Sequence, residues 1–368
     1  AAAPSAANAG ASVFTIKEKS TSGGGLTTVS AGAGSQTVTV NNSADGAGTG
    51  TVSPTSTLAG TTNNTETATY TVATGGAAAN GVVELTIPVN WTAPQKTTNN
   101  AAGYVTASYN DGSSHAIAAG QITINGSGPW TIDVALPAAL NSGNTLTIVY
   151  GDTSSFAAGA AAAPSAANAG ASVFTIKEKS TSGGGLTTVS AGAGSQTVTV
   201  NNSSDGSGGA SVAPTSTFAG TTNNTETLTY TAATGGAAAN GVVELSVPSG
   251  WTAPQKTTST AAGYVTASYN DGSSHAIAAG NITINGSGPW TIDVTLPAAL
   301  NNTNTLTIVY GDTASGINPG AAATAPGPAS AGNYSFGFKE KSTAAGTLTN
   351  IGAGSQTVAV NNSADGAG

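Results

Sequence analysis

Residues Ala1 to Ser43 return without a change as Ala161 to Ser203, and the match continues with substitutions to Gly151-Asp152 and Gly311-Asp312, a period of 160 residues. A third, partial copy follows. Its Lys339-Glu340-Lys341-Ser342 answers Lys17-Glu18-Lys19-Ser20, and Asn361 to Gly366 reproduces Asn41 to Gly46. A period this long makes each copy a whole domain and not one turn of a small solenoid. Two copies leave 48 of the 368 residues over. With boundaries near Gly48 and Gly208, the chain divides into a partial repeat at 1–48 and full repeats at 49–208 and 209–368.

Inside a copy, short runs alternate apolar and polar residues with period two, which marks half-buried antiparallel strands. Ala68, Tyr70 and Val72 interleave with Thr69 and Thr71; Val83, Leu85 and Ile87 with Glu84 and Thr86; Trp130, Ile132, Val134 and Leu136 with Thr131, Asp133 and Ala135. Leu146, Ile148 and Tyr150 continue the series, as do Phe14 with Ile16 and Val38 with Val40. Asn80-Gly81, Asn110-Asp111-Gly112 and Gly151-Asp152 are turn signals between runs. No stretch carries a 3.6-residue period of helical length. The fold class is therefore all-β, with each copy a β-sandwich of Greek-key or immunoglobulin-like architecture. Trp91, Trp130, Trp251 and Trp290 are expected as core anchors, with carbohydrate stacking as the alternative.

Composition limits the chemistry. There is no Cys, Met or Arg and only two His, so thiol nucleophiles, zinc–thiolate sites and disulfide staples are absent. Charged residues make up only 7% of the chain and the net charge is −8, which excludes a phosphate-tracking nucleic-acid binder. No run of about 18 apolar residues offers a membrane span. With Ala at position 1 and no Met, the sequence reads as a processed product or an internal window of a longer one. Thr-, Asn- and Gly-rich, weakly charged surfaces fit an extracellular or cell-surface protein of a prokaryote.

Val83 to Pro94 (VELTIPVNWTAP), Gly103-Tyr104-Val105-Thr106 and Leu146 to Gly151 (LTIVYG) resemble segments of immunoglobulin-like repeat domains of large bacterial surface and matrix proteins. The resemblance spans both full copies and implies tandem immunoglobulin-like β-sandwiches in a repeat array at the cell surface. Its motifs are core and turn residues, so no catalytic residue is carried over.

The surplus segment sets the functional expectation. Its strands, Val13 to Lys17 and Thr37 to Val40, are too few for a domain, and open strands with alternating apolar residues pair with other chains. The leading reading is a structural subunit of an extracellular filament, matrix fibre or surface layer. It would assemble from copies of itself head to tail, with donor-strand exchange as one route. The alternative is a repetitive adhesin stalk that binds carbohydrate, extracellular matrix or another cell. A stalk should be cut by protease at 157–169 or near Gly206 to Gly209, whereas an interlocked fibre should resist.

No enzyme is expected: His115 and His275 sit in Ser- and Gly-rich turns with no second His in either copy to share a metal, and no Gly-x-Ser-x-Gly elbow occurs. No cofactor is required. Calcium is the one ion the residues admit, through Asp45, Asp111 and Asp152 and their counterparts Asp205, Asp271 and Asp312, all in Gly- or Asn-rich turns. Turn-forming aspartates explain the same pattern. Lys17-Glu18-Lys19 is expected as a solvated charge cluster, and a Lys–Asn isopeptide staple with Asn41 or Asn42 as the rarer outcome, since charged strand ends normally face water.

Overall fold

Runs of Thr alternating with Val, Ile, Leu and Tyr favour the pleated sheet, where β-branched side chains pack against their neighbours, and strands form throughout. A computed structural model describes residues 4–30, 36–155, 157–192, 194–313, 322–352, 354 and 356–363. The Ala364-Asp365-Gly366 end of the third copy lies outside them. The described residues contain strands and isolated 3-10 turns and no α-helix. The chain forms two compact units, one of Ala1–Ser56, Thr62–Ala162 and Ala171–Thr199, the other of Thr57–Thr61, Ala163–Gly170 and Val200–Gly368.

In the first unit the leading segment carries β1 (Gly10–Val13), β2 (Lys17–Glu18), β3 (Thr27–Thr28) and β4 (Thr37–Val40). The sandwich proper begins with β5 (Thr49–Ser53), β7 (Glu66–Thr71) and β8 (Val82–Ile87); between β5 and β7 lies β6 (Ser56–Leu58), in neither of its two sheets. It continues with β9 (Val105–Asn110), β10 (Ser114–Ala116), β11 (Ile122–Gly126), β12 (Trp130–Ala135) and β13 (Thr145–Tyr150). The second copy then contributes β14 (Gly170–Val173), β15 (Ile176–Lys179), β16 (Thr187–Thr188) and β17 (Thr197–Asn201). One sheet has the order β10-β9-β13-β7-β5 and the facing sheet β11-β12-β8-β15-β16. Two-residue alternation places Tyr70, Leu85, Ile132, Val134, Leu146, Ile148 and Tyr150 in a shared, fully buried core between the sheets.

The second unit repeats this with β18 (Gly209–Ala213), β19 (Ser216–Phe218), β20 (Glu226–Thr231), β21 (Val242–Val247) and β22 (Val265–Asn270). β23 (Ser274–Ala276), β24 (Ile282–Gly286), β25 (Trp290–Thr295) and β26 (Thr305–Tyr310) follow. The third copy supplies β27 (Gly332–Ser335), β28 (Phe338–Lys341), β29 (Thr349–Asn350) and β30 (Thr357–Asn361). The sheets are β18-β20-β26-β22-β23 and β24-β25-β21-β28-β29.

Trp91 and Trp251 are core residues as expected, but Trp130 and Trp290, at the turn ends of β12 and β25, are only half-buried. Glu84, which alternation assigns to solvent, is buried, because Lys177 of β15 and Asp133 of β12 flank it on the outer face of its sheet.

The Gly in LTIVYG has a specific reason. Gly151 has φ +75°, and a Cβ there would sit 2.4 Å from the Asn64 carbonyl oxygen and 2.8 Å from the Ala161 nitrogen. Gly151→Ala combines a left-handed backbone with a clash against backbone that cannot rotate away, so it is expected to destabilise the first sandwich by about 2–4 kcal/mol. Thermal melting of the variant checks this.

Candidate functional site

The site is the side of each sandwich that strands from the next copy close. β8 takes β12 along one edge. Its other edge pairs antiparallel with β15, in the register Ile176 with Leu85, Lys177 with Glu84, Glu178 with Val83 and Lys179 with Val82. The Thr86 amide also donates to the Thr175 carbonyl at 2.8 Å. On the opposite sheet the same segment runs beside β5: Gly50 N–H donates to Ser190 O at 2.8 Å and Val52 N–H to Ser195 O at 2.7 Å. Thr199 N–H reaches Thr55 O at 2.8 Å. Residues 174–199 thus satisfy backbone groups on both sheets that would otherwise be open edges.

The segment also fills the core. Phe174 packs edge-on against Trp91, with centroids 5.1 Å apart at 75°, and lies 6.5 Å from Tyr150. Trp91 Nε1 donates to Ser172 Oγ at 3.0 Å in a buried contact. Burial of Phe174, Ile176, Val189 and Val198 contributes on the order of 2 kcal/mol apiece. The second unit repeats the construction: β28 pairs with β21, Phe338 opposite Leu245, while Phe336, Ile351 and Val358 are buried.

The leading partial repeat carries the same segment with its described apolar residues exposed. Phe14 is 62% exposed against 0% for Phe174, Ile16 58% against 1% for Ile176, and Val38 53% against 0% for Val198. The local shape is nonetheless preserved. Phe14 N–H donates to Gln36 O at 2.7 Å as Phe174 N–H does to Gln196 O at 2.8 Å, and Val29 N–H bonds Ile16 O as Val189 N–H bonds Ile176 O. β1 pairs with β4, Gly10 opposite Val40.

Charged groups at the seam hold the segment in register. Asp45 Oδ1 accepts the Ser180 amide at 2.9 Å and its hydroxyl at 3.1 Å, while Oδ2 accepts the Gly185 amide at 2.7 Å. These backbone N–H groups, Ser180 first, hold the Asp45 carboxyl below its ordinary value. Asp205 does the same for Ser342 and Thr347. Burial raises its pKa, but the N–H groups outweigh that and leave it lowered.

Behind Asp45, Glu178 is fully buried and Oε2 accepts the Gly46 amide at 2.8 Å. Burial pushes it up to about 7, against the pull of Gly46, and the Asp45 charge adds to the rise. Lys177 pairs with Glu84 at 2.9 Å and Lys339 with Glu244 at 2.7 Å. The charge cluster expected in solvent is therefore half interior where the segment is docked. The lysine that aligns with Lys17 meets a carboxylate across the strand, not an asparagine.

The six aspartates considered for calcium are not brought together. Asp45 and Asp205 cap the docked segment. Asp152 accepts the Thr106 hydroxyl and the Ser154 amide, and Asp312 the Thr266 hydroxyl. Asp111 and Asp271 sit beside His115 and His275 at 3.1 Å on exposed hairpins. Among the described residues no three acidic or histidine side chains form a metal-sized group. Asp45→Ala is expected to lower first-sandwich stability by about 1–2 kcal/mol through its lost N–H contacts, with no change in the melting midpoint of either protein on adding EDTA. A midpoint that falls with EDTA only in the unsubstituted chain would assign calcium to Asp45.

Two buried carboxyls were not singled out in the sequence. Glu66 and Glu226 are fully buried, with no hydrogen-bond partner on either oxygen among the described residues, and burial pushes each up to about 7. The signal for them was available, since Glu66 leads a strand whose alternate residues Ala68 and Tyr70 face the core.

No family model and no curated protein matches the chain. Solved structures with detectable similarity include a protein of Corynebacterium diphtheriae titled as membrane anchored, at 8% identity and TM-score 0.26, covering 85% of this chain and 91% of that one. Another is the collagen-binding domain of an Erysipelothrix rhusiopathiae surface protein, at 12% identity and TM-score 0.21, covering 83% and 90%. A third is a serine-rich repeat adhesion glycoprotein of Streptococcus agalactiae, at 8% identity and TM-score 0.22, covering 86% and 97%. No helix among the described residues is long and apolar enough to cross a membrane.

Proposed function

We propose that this chain is a structural module of an extracellular fibre or surface array in which every sandwich is completed by strands from the following copy, assembled head to tail by donor-strand exchange. On this reading 49–208 and 209–368 are each one finished sandwich, and the partial repeat 1–48 gives its middle stretch, 10–40, to another while Ala6 and Ser43 to Ala47 bond the first sandwich of their own chain. The observation that carries it is the paired exposure of identical residues: Phe14, Ile16 and Val38 in water, Phe174, Ile176 and Val198 in a core. An apolar face that the same sequence buries at 174–198, and a related sequence buries again at 336–358, has a known kind of cover, and single chains rarely leave such a patch open without a partner. The Thr-rich, weakly charged faces suit close packing of neighbours, since few ions need desolvation.

Electron microscopy of concentrated chain tests the proposal together with the aspartate variant of its exposed face, Phe14→Asp/Ile16→Asp. Linear assemblies that this variant abolishes are expected. Monodisperse single particles in both samples at high concentration would remove the fibre reading.

A further inference from the structure

We infer that the segment carried by residues 4–43 is addressed to one kind of sandwich, that of the first repeat on a second copy of this chain, which it enters in exchange for that copy's own identical segment, and not to that of the second repeat. The inference rests on the strand-donation reading above and names the partner of that surface.

The two sandwiches accept different segments. The segment docked in the first is identical to residues 1–43, whereas that of the second has Tyr334 for Ser172, Gly337 for Thr175 and Phe338 for Ile176, and is two residues shorter before Gln356. The acceptors differ at buried positions in turn. Gly50 becomes Ala210, Ala68 becomes Leu228, Val72 becomes Ala232 and Ile87 becomes Val247. Because strand registers are the same, Ile176 opposite Leu85 and Phe338 opposite Leu245, these substitutions alter the shape of one site, not its position.

Gly50 shows why the fit is selective. A Cβ on it would lie 2.8 Å from Ile176 Cδ1 and 3.2 Å from both Ile176 Cβ and Gln196 Nε2. An alanine at this point, such as the second sandwich has, forces the Ile176 and Gln196 side chains to shift, so the Ile-bearing segment fits the glycine site better. The second sandwich instead runs its shortened loop directly over that residue, where a Cβ on Gly354 would meet Ala210 O at 1.9 Å, so no side chain fits between them.

The tryptophans differ as well. Trp91 Nε1 is satisfied by Ser172 Oγ, while Trp251 stacks edge-on with Tyr334 at 6.3 Å and its Nε1 has no partner among the described residues. Each acceptor is complementary to its own segment, and cores at native density penalise a mismatched one. Residues 4–43, with Ser12 and Ile16 in the discriminating positions, carry the first kind of key.

Two variants of the full chain test this. Phe174→Asp/Ile176→Asp spoils the internal segment and leaves the first sandwich open beside an intact residue 4–43 segment, and head-to-tail oligomers are expected by size-exclusion chromatography with light scattering. Phe336→Asp/Phe338→Asp opens the second sandwich and is expected to oligomerise no more than the unmodified chain at the same concentration.

A measurement on the unmodified chain covers the case in which an open sandwich fails to fold. A photo-crosslinking peptide of sequence 161–203, in excess below the melting temperature, is expected to enter the first sandwich at least ~10-fold over the second, as read by mass spectrometry. Equal oligomer formation by the two variants, or equal peptide uptake by the two sandwiches, overturns the address and leaves strand donation standing. No oligomers from either variant and no uptake at either sandwich overturns both.

Discussion

Replacing Phe174 by alanine is expected to cost the first sandwich about 3–5 kcal/mol, and the same replacement at Phe14 to cost nothing measurable. The two residues lie in an identical stretch of 43 residues, so helix or strand propensity and unfolded-state effects cancel between them. What remains is burial. Phe174→Ala loses the edge contact with Trp91 and the tilted contact with Tyr150 and leaves a cavity at the seam, while Phe14→Ala sheds a ring that already faces water. Denaturant titration followed by tryptophan fluorescence separates them, since Trp91 reports on the affected core. Equal costs at the two positions would mean that residues 1–48 are covered in solution by the chain itself.

The second large effect is on pH. Each sandwich encloses two glutamates raised to about 7, Glu66 and Glu178 in the first and Glu226 and Glu340 in the second. Their ordinary value is 4.5, so the unfolded chain releases these protons more readily than the folded one. Their contribution is therefore whole below about pH 4.5, declines as pH rises through 7, and is gone above it. Each carboxyl accounts for on the order of 3 kcal/mol over that window. The melting midpoint is expected to be highest near pH 4–5 and to fall steadily to pH 8. Glu66→Gln should flatten the slope and raise the midpoint at pH 8, because the amide is neutral at both ends. A midpoint that climbs from pH 5 to pH 8 would show these carboxyls ionised and paired in the folded state.

Strands with strict alternation, such as Glu66–Thr71, Trp130–Ala135 and Thr145–Tyr150, were legible from the letters because one face of each is a core face and the other meets water. The same rule misassigned Glu84, whose outer face is covered by Lys177 from 93 positions further along. It left the Lys17-Glu18-Lys19 cluster to solvent, and there Lys17 and Glu18 are exposed. The copy at Glu178 shows the carboxyl interior, held by the Gly46 amide 132 residues away. Asp45 in an Asp-Gly turn looked like either a turn former or an oxygen ligand. Its actual role depends on the amides of Ser180 and Gly185, 135 and 140 residues distant. Local patterns show what a residue can bond to. They do not show which distant amide arrives, and at this site the decisive contacts are all of that kind.

The position of β15 in the sheet of β8 imposes a timetable on synthesis. A ribosome finishes the strands up to Tyr150 before it makes Ile176 or Val198, so each new sandwich emerges with one edge of β8 bare and its core lacking an aromatic ring. At roughly 5–20 residues per second the missing strands follow within some seconds. Throughout elongation the growing end is thus always one unfinished sandwich, and what completes it is the beginning of the next.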